Sequence, residues 1–95
     1  MEISIVPLGT KQVSLSDYVA RAARVAGDSG LEFRLHDMGT TVRGDLHQLL
    51  ELAERMHKAV FGLDVTRVYT VIKIDDRRDR DSGFGEKTKS VMQKL

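Results

Sequence analysis

TRVYTVIKIDDRRDRD, from Thr66 to Asp81, opens as an alternating apolar segment and breaks abruptly into seven consecutive charges. Period-two alternation of β-branched and aromatic residues is strand behaviour, and it predicts a strand over residues 67–75. Val68, Ile72 and Ile74 fall on one face and Tyr69, Val71 and Lys73 on the other. A strand that ends in dense charge has a buried stretch and a rim where polar contacts form.

Working outward, residues 2–8 alternate in the same way, with Ile3 and Ile5 on one side, and Pro7 and Gly9 close that segment. Ser14 has Asp17 three residues on, a capping-box-like pair, and Leu15, Tyr18, Val19, Ala22, Val25 and Ala26 then recur at helical spacing. Gly30 ends this helix. Leu31, Phe33 and Leu35 alternate with Glu32, Arg34 and His36 as a second strand. Asp37, Met38 and Gly39 supply a tight turn into a short β-branched third strand, residues 40–43.

Asp45 is an N-cap candidate with Gln48 at the box position. Leu46, Leu49, Leu50, Ala53, Met56 and Val60 form the apolar face of a second helix that Gly62 stops. Glu51–Arg55 and Glu54–Lys58 are expected as i,i+4 pairs on its wet side. Residues 84–95 are read as a short terminal helix with Val91 and Leu95 on one side.

The order β-α-β-β-α-β with a tail is the α+β, ferredoxin-like plan. It implies one domain over residues 1–95 and an antiparallel sheet of order 4-1-3-2, with both helices on one face. Alternation then assigns the open face to Ser4, Val6, Leu8, Arg34, His36, Thr41, Arg43, Tyr69, Val71 and Lys73. The centre of that set (Val6, Tyr69, Val71) is apolar and its margins are charged, the pattern of an interface patch with a polar rim. Sheet-to-sheet association is therefore expected, against the plainer alternative of a solvated face. The hairpin Asp37-Met38-Gly39 is expected at the same end of the sheet as Asp75-Asp76, with Leu8-Gly9 and Gly44-Asp45 at the opposite end.

Composition narrows the function. Ninety-five residues leave room for one modest core, and 15 basic against 14 acidic residues give no global field for nucleic acid. The charge run alternates in sign, so it is not a phosphate strip, and its arginines would repel a bound cation. A solvated loop, intersubunit ion pairs and ligand contacts remain its three readings. No cysteine occurs and no apolar run approaches a membrane span, so a soluble, cytoplasmic protein with no membrane partner is expected. His36, His47 and His57 do not assemble into a ligand set, and no nucleophile is paired with a base, so neither a metal site nor catalysis is expected. Gly9-Thr10 and Gly39-Thr40-Thr41 offer turns with hydroxyls and amides suited to a polar heterocycle, although turn chemistry alone explains the glycines.

EISIVPLGT, MGTTVRGDL and VIKIDDRRD, in this order and spacing, resemble the small thiamine-binding, YkoF-like family. The likeness covers essentially the whole chain, including MHKAVF and the terminal SVMQKL. It implies dimers through the sheets, commonly paired into tetramers. It also implies binding of thiamine or its hydroxymethylpyrimidine moiety, with neither catalysis nor a cofactor. The residues it carries over are Pro7, Leu8, Gly9, Met38, Gly39, Thr40, Gly44, Asp45, Lys73, Asp75, Asp76, Arg77 and Arg78. For such a ligand, Phe33, Met38, Gly39, Thr40, Thr41 and Tyr69 supply walls, hydroxyls and close approach, and Asp37, Asp45 or Asp75 supply acceptors. Val6, Leu8, Arg43, Val71, Lys73, Asp76, Arg77 and Arg78 are the interface candidates. Two rival readings stand beside this one: a regulatory domain whose open sheet recruits another protein, and an enzyme using His36 or Tyr69 in an inter-sheet cavity.

Overall fold

The computed structural model describes residues 1–10, 15–62 and 64–95. Its elements are β1 (Glu2–Leu8), α1 (Ser16–Asp28), β2 (Glu32–His36), β3 (Gly39–Arg43), α2 (Leu46–Val60), β4 (Arg67–Lys73) and α3 (Glu86–Met92). The four strands form one antiparallel sheet in the order β2-β3-β1-β4, the ferredoxin-like order expected from the element pattern. α1 and α2 pack on one face, and the core between them and the sheet holds Ile3, Val42, Tyr18, Ala22, Ala26, Leu52, Met56 and Val60, with smaller contributors around them.

Local chemistry sets the helix limits. Asp45 accepts from the Gln48 amide at 2.8 Å while the Gln48 side chain accepts from the Asp45 amide at 3.2 Å, a complete capping box. α1 begins at Ser16 with Leu15 in the capping position and no side-chain cap. Ser14, the expected cap, lies outside the described residues. The buried Tyr18 hydroxyl donates to the Asp64 carboxylate, tying α1 to the segment that leads into β4. That bond raises the phenol pKa and lowers that of the carboxyl.

The apolar stripe of α2 is rotated from the expected one. Leu49, Leu52, Ala53, Met56 and Val60 are buried, whereas Leu46 and Leu50 are 41% and 49% exposed. Leu52 lies three residues from Leu49 and four from Met56, so it shares their face, and Leu50 sits at its margin. Of the two expected ion pairs, Lys58 donates to Glu54 at 2.7 Å, but Glu51 faces His47 instead of Arg55.

Two helices cover the central strands and only partly reach the edges. Phe33 on β2 and Ile72 on β4 belong to the helix-facing side but remain 37% and 43% exposed. Ile74, expected in the strand, lies beyond it and is 38% exposed. β4 stops at Lys73 because its partner β1 starts at Glu2. The expected grouping of rims is also reversed. β3 and β4 each run antiparallel to β1, so both end beside Met1. Asp75-Asp76 therefore shares its end of the sheet with Gly44-Asp45, and the Asp37-Met38 turn shares the other with Leu8-Gly9.

Leu52→Ala is expected to cost about 2–5 kcal/mol in chemical denaturation, as for other buried leucines, and Leu50→Ala less than about 1 kcal/mol. Equal costs would contradict the rotated stripe.

Candidate functional site

The β1–β3 ladder is short. Glu2 pairs with Thr41 and Ile3 with Thr40, and Met1 closes the far end through reciprocal bonds with Val42 at 2.8 and 2.9 Å. Beyond Ile3 the two strands part, although β2 stays paired with β3 as far as His36–Gly39. The pivot is Gly39, where a Cβ would lie 2.7 Å from the Ile3 carbonyl oxygen. Only glycine permits this approach.

The parting strands leave a slot of about 150 Å³ between β1 and the β2–β3 turn, floored by the helices. Ile3, Ile5, Val19, Ala22, Leu35 and Met56 give it apolar walls. His36, Asp37, Met38, Gly39 and Thr40 form its turn side, and Ser4 and Val6 reach it from the open face of the sheet. Thr40 is the one buried polar residue among those described. An apolar recess with a few convergent polar groups is the general form of a small-molecule site.

A wider groove of about 750 Å³ lies at the opposite end, between the start of β1, the β3–α2 junction and the C-terminal arm. The charge run is largely paired within itself and with its neighbours. Arg77 donates to Asp79 at 2.7 Å and Arg78 to Asp76 at 2.9 Å, each pair two residues apart. Lys87 donates to Asp75 and Arg43 to Asp81. Further along the arm, the Arg34 guanidinium stacks over the Phe84 ring at 5.1 Å, in reach of a cation–π contact. The hydrogen-bonded Lys87 ammonium holds the Asp75 carboxyl below its usual range, and Arg78 and Arg77 do the same for Asp76 and Asp79.

The sequence-predicted ligand residues therefore divide. Asp37, Met38, Gly39 and Thr40 line the slot, whereas Thr41, Asp45 and Asp75 line the groove. Asp45 is occupied there as the α2 cap. Phe33 and Tyr69 line neither cavity: Phe33 lies against Gly27 of α1, and Tyr69 is 60% exposed on the open face. Of the interface candidates, Arg43, Lys73, Asp76, Arg77 and Arg78 line the groove, and Leu8 and Val71 belong to the open face. Val6 is shared between that face and the slot.

His36 is less isolated than its sequence position implied. Its Nε2 lies 3.0 Å from the Thr41 hydroxyl and 3.7 Å from the Glu2 carboxylate. It is three strand steps from Tyr69, about 14 Å, so the two cannot act on one atom within a single chain. The slot walls Ile5, Val19 and Leu35 were not singled out from the sequence as site residues. Their only signal was ordinary core periodicity. Among the described residues, no group of three His, Asp or Glu side chains could hold a metal ion, and no helix is long and apolar enough to cross a membrane.

The charged arm yields a direct test. A depressed carboxyl pKa contributes stability above the unfolded value, near 3.8 for these aspartates, and loses it as pH falls through the folded value. The Asp75 carboxyl, followed by NMR, is expected to titrate below 3.8 and to move up in Lys87→Ala. Both groups are exposed, so global stability should barely change. An Asp75 titration unaffected by removal of Lys87 would contradict the pairing.

The family model described as thiamine-binding protein matches residues 1–92. The chain is 41% identical over 95 residues to a UPF0045 protein of Methanothermobacter thermautotrophicus, covering 99% of this chain and 96% of that one. The crystal structure of a hypothetical protein of Methanocaldococcus jannaschii superposes with a TM-score of 0.84 at 37% identity, over 97% of this chain and 93% of that one. A domain of unknown function from Bacillus cereus gives 0.79 at 30% identity, over 90% and 82%.

Proposed function

The chain belongs to the thiamine-binding protein family, and from that premise we propose a non-catalytic, cytoplasmic binding protein for thiamine or its hydroxymethylpyrimidine moiety, acting as carrier, buffer or sensor. The observation that carries this reading is the slot at the β1–β3 parting. Thiamine joins a flat aminopyrimidine to a thiazolium cation. The slot is far below the roughly 300 Å³ of a drug-sized pocket. Its volume of about 150 Å³ is on the scale of one substituted pyrimidine ring. Apolar walls suit the faces of such a ring, and the polar turn side suits its edge. Asp37, exposed beside the slot, is placed to attract the cation outside it. The groove suits the ligand less well, since its aspartates are already engaged by arginine, lysine or the α2 amides.

Calorimetric titration with thiamine and hydroxymethylpyrimidine tests the proposal. Ligand at about 100 times its dissociation constant should add ~2.7 kcal/mol, a rise of roughly 10–20 °C in melting temperature for a domain of this size. Val19→Trp, which fills the slot, is expected to abolish binding, whereas Leu46→Trp in the groove should leave it intact. Asp37→Asn is expected to weaken thiamine severalfold and to spare the uncharged pyrimidine. Absence of heat and of any melting shift at millimolar ligand would defeat the proposal.

We further propose homodimers through the open sheet faces, paired into tetramers. Tyr69 on β4 pairs with Val6 on β1, while Val71 stands opposite Ser4 and Leu8 opposite Arg67, so the apolar strip runs diagonally across the two strands, with Tyr69 60% and Val71 37% exposed. Arg43, Lys73, Asp76, Arg77 and Arg78 would then supply the charged rim. Val71→Asp is expected to dissociate the assembly in sedimentation or light scattering, because it buries an unpaired charge. A monomeric wild type would end this part of the proposal.

A further inference from the structure

Strand direction fixes which backbone groups face the slot. Met1 exchanges both its bonds with Val42 of β3, so the odd residues of β1 present their N–H and C=O toward β3 and the even ones toward β4. Ile3 meets Thr40 in that direction. The next residue in phase, Ile5, would meet Met38 if the ladder continued, but β3 has already turned away at Gly39. Pro7, the one after it, has no N–H to offer. Ile5 therefore shows a main-chain donor and acceptor side by side, on the strand edge that bounds the slot, with no β3 residue paired to them. Within a largely apolar recess, a main-chain pair left without its ladder partner favours a ligand that takes that partner's place.

Resting on the thiamine reading above, we infer that Ile5 recognises the aminopyrimidine edge by main-chain bonds, standing in for the missing ladder partner. The Ile5 amide donates to a pyrimidine ring nitrogen, and the Ile5 carbonyl accepts from the adjacent exocyclic amino group. The ring thus occupies the place of one further strand residue, with one face against Ile3, Val19 and Met56 on the helix side. Selectivity follows from the order of donor and acceptor on the ring, with little demand on the thiazolium. The ligand class is then a flat ring with an amino group beside a ring nitrogen.

The test compares thiamine, hydroxymethylpyrimidine, pyrithiamine and oxythiamine by titration calorimetry, with amide shifts recorded on ¹⁵N-labelled protein. Pyrithiamine replaces the thiazolium but keeps the aminopyrimidine, whereas oxythiamine replaces the amino group by oxygen and reverses the order of donor and acceptor. The inference expects the first three to bind within severalfold of each other and oxythiamine to bind about tenfold or more weakly. The Ile5 amide proton should be among the most shifted. Equal binding of oxythiamine, or an Ile5 amide that stays still while Gly44, Asp75 and Asp76 move, would overturn the inference and leave thiamine binding itself standing. Failure of all four compounds to bind would overturn both.

Discussion

The approach of Gly39 to the Ile3 carbonyl governs much of the molecule. The β2–β3 hairpin joins the rest of the sheet only through the paired stretch from Met1–Val42 to Ile3–Thr40. Gly39 lets β3 come close enough to make the last of these bonds and then leave. Two more paired residues would zip Ile5 to Met38 and close the slot. A shorter ladder would release the hairpin and uncover Val42, which is fully buried. An unpaired strand edge is ordinarily a liability in association and in stability. Here the exposed length is small, because Pro7 carries no donor and β1 ends at Leu8.

The same economy of charge operates at the other end. Alternating sign in residues 75–81 lets Asp76–Arg78 and Arg77–Asp79 pair locally, while Asp75 and Asp81 reach Lys87 and Arg43. The arm is thus held against the sheet end by exposed contacts, each weak on its own and screened by salt. α3 buries no residue, so the arm depends on those contacts and on the Arg34–Phe84 stack.

Element order, sheet order and the Asp45 cap were legible in the sequence because each depends on local periodicity or on one short motif. The face assignment of β1 and β4 was legible for the same reason. How far the helices reach over the sheet was not. Alternation places Ile72 on the helix-facing side but says nothing of whether a helix covers an edge strand, and Ile72 stays 43% exposed. Leu50 and Leu52 flank the Leu49–Ala53–Met56–Val60 stripe on opposite sides, about 160° apart on the helix, so choosing between them needs the crossing of α2 with α1, a tertiary quantity. The grouping of the rims followed from strand direction alone, and the reversal came from placing the β2–β3 turn beside the start of β1, whereas β3 runs antiparallel to β1 and carries that turn toward its end. The slot was hidden for a deeper reason. Its defining event is where a ladder stops, and Gly39 reads equally well as an ordinary turn residue.

Slot and open face are not independent. Ser4 and Val6 point to the open side of the sheet yet also line the slot, because the parted strands leave an opening through the sheet. A second copy seated on the Val6–Val71 strip, as proposed, would lie against this back entrance and reduce the access of water to the Ile5 main chain. Excluding water strengthens hydrogen bonds in the slot and raises the cost of leaving them unmade. Ligand binding and assembly would then favour one another by linkage, each stabilising the state that the other prefers. A short ladder at the centre of a small sheet thus provides both a ring-sized recess and a reason for the sheet to be covered.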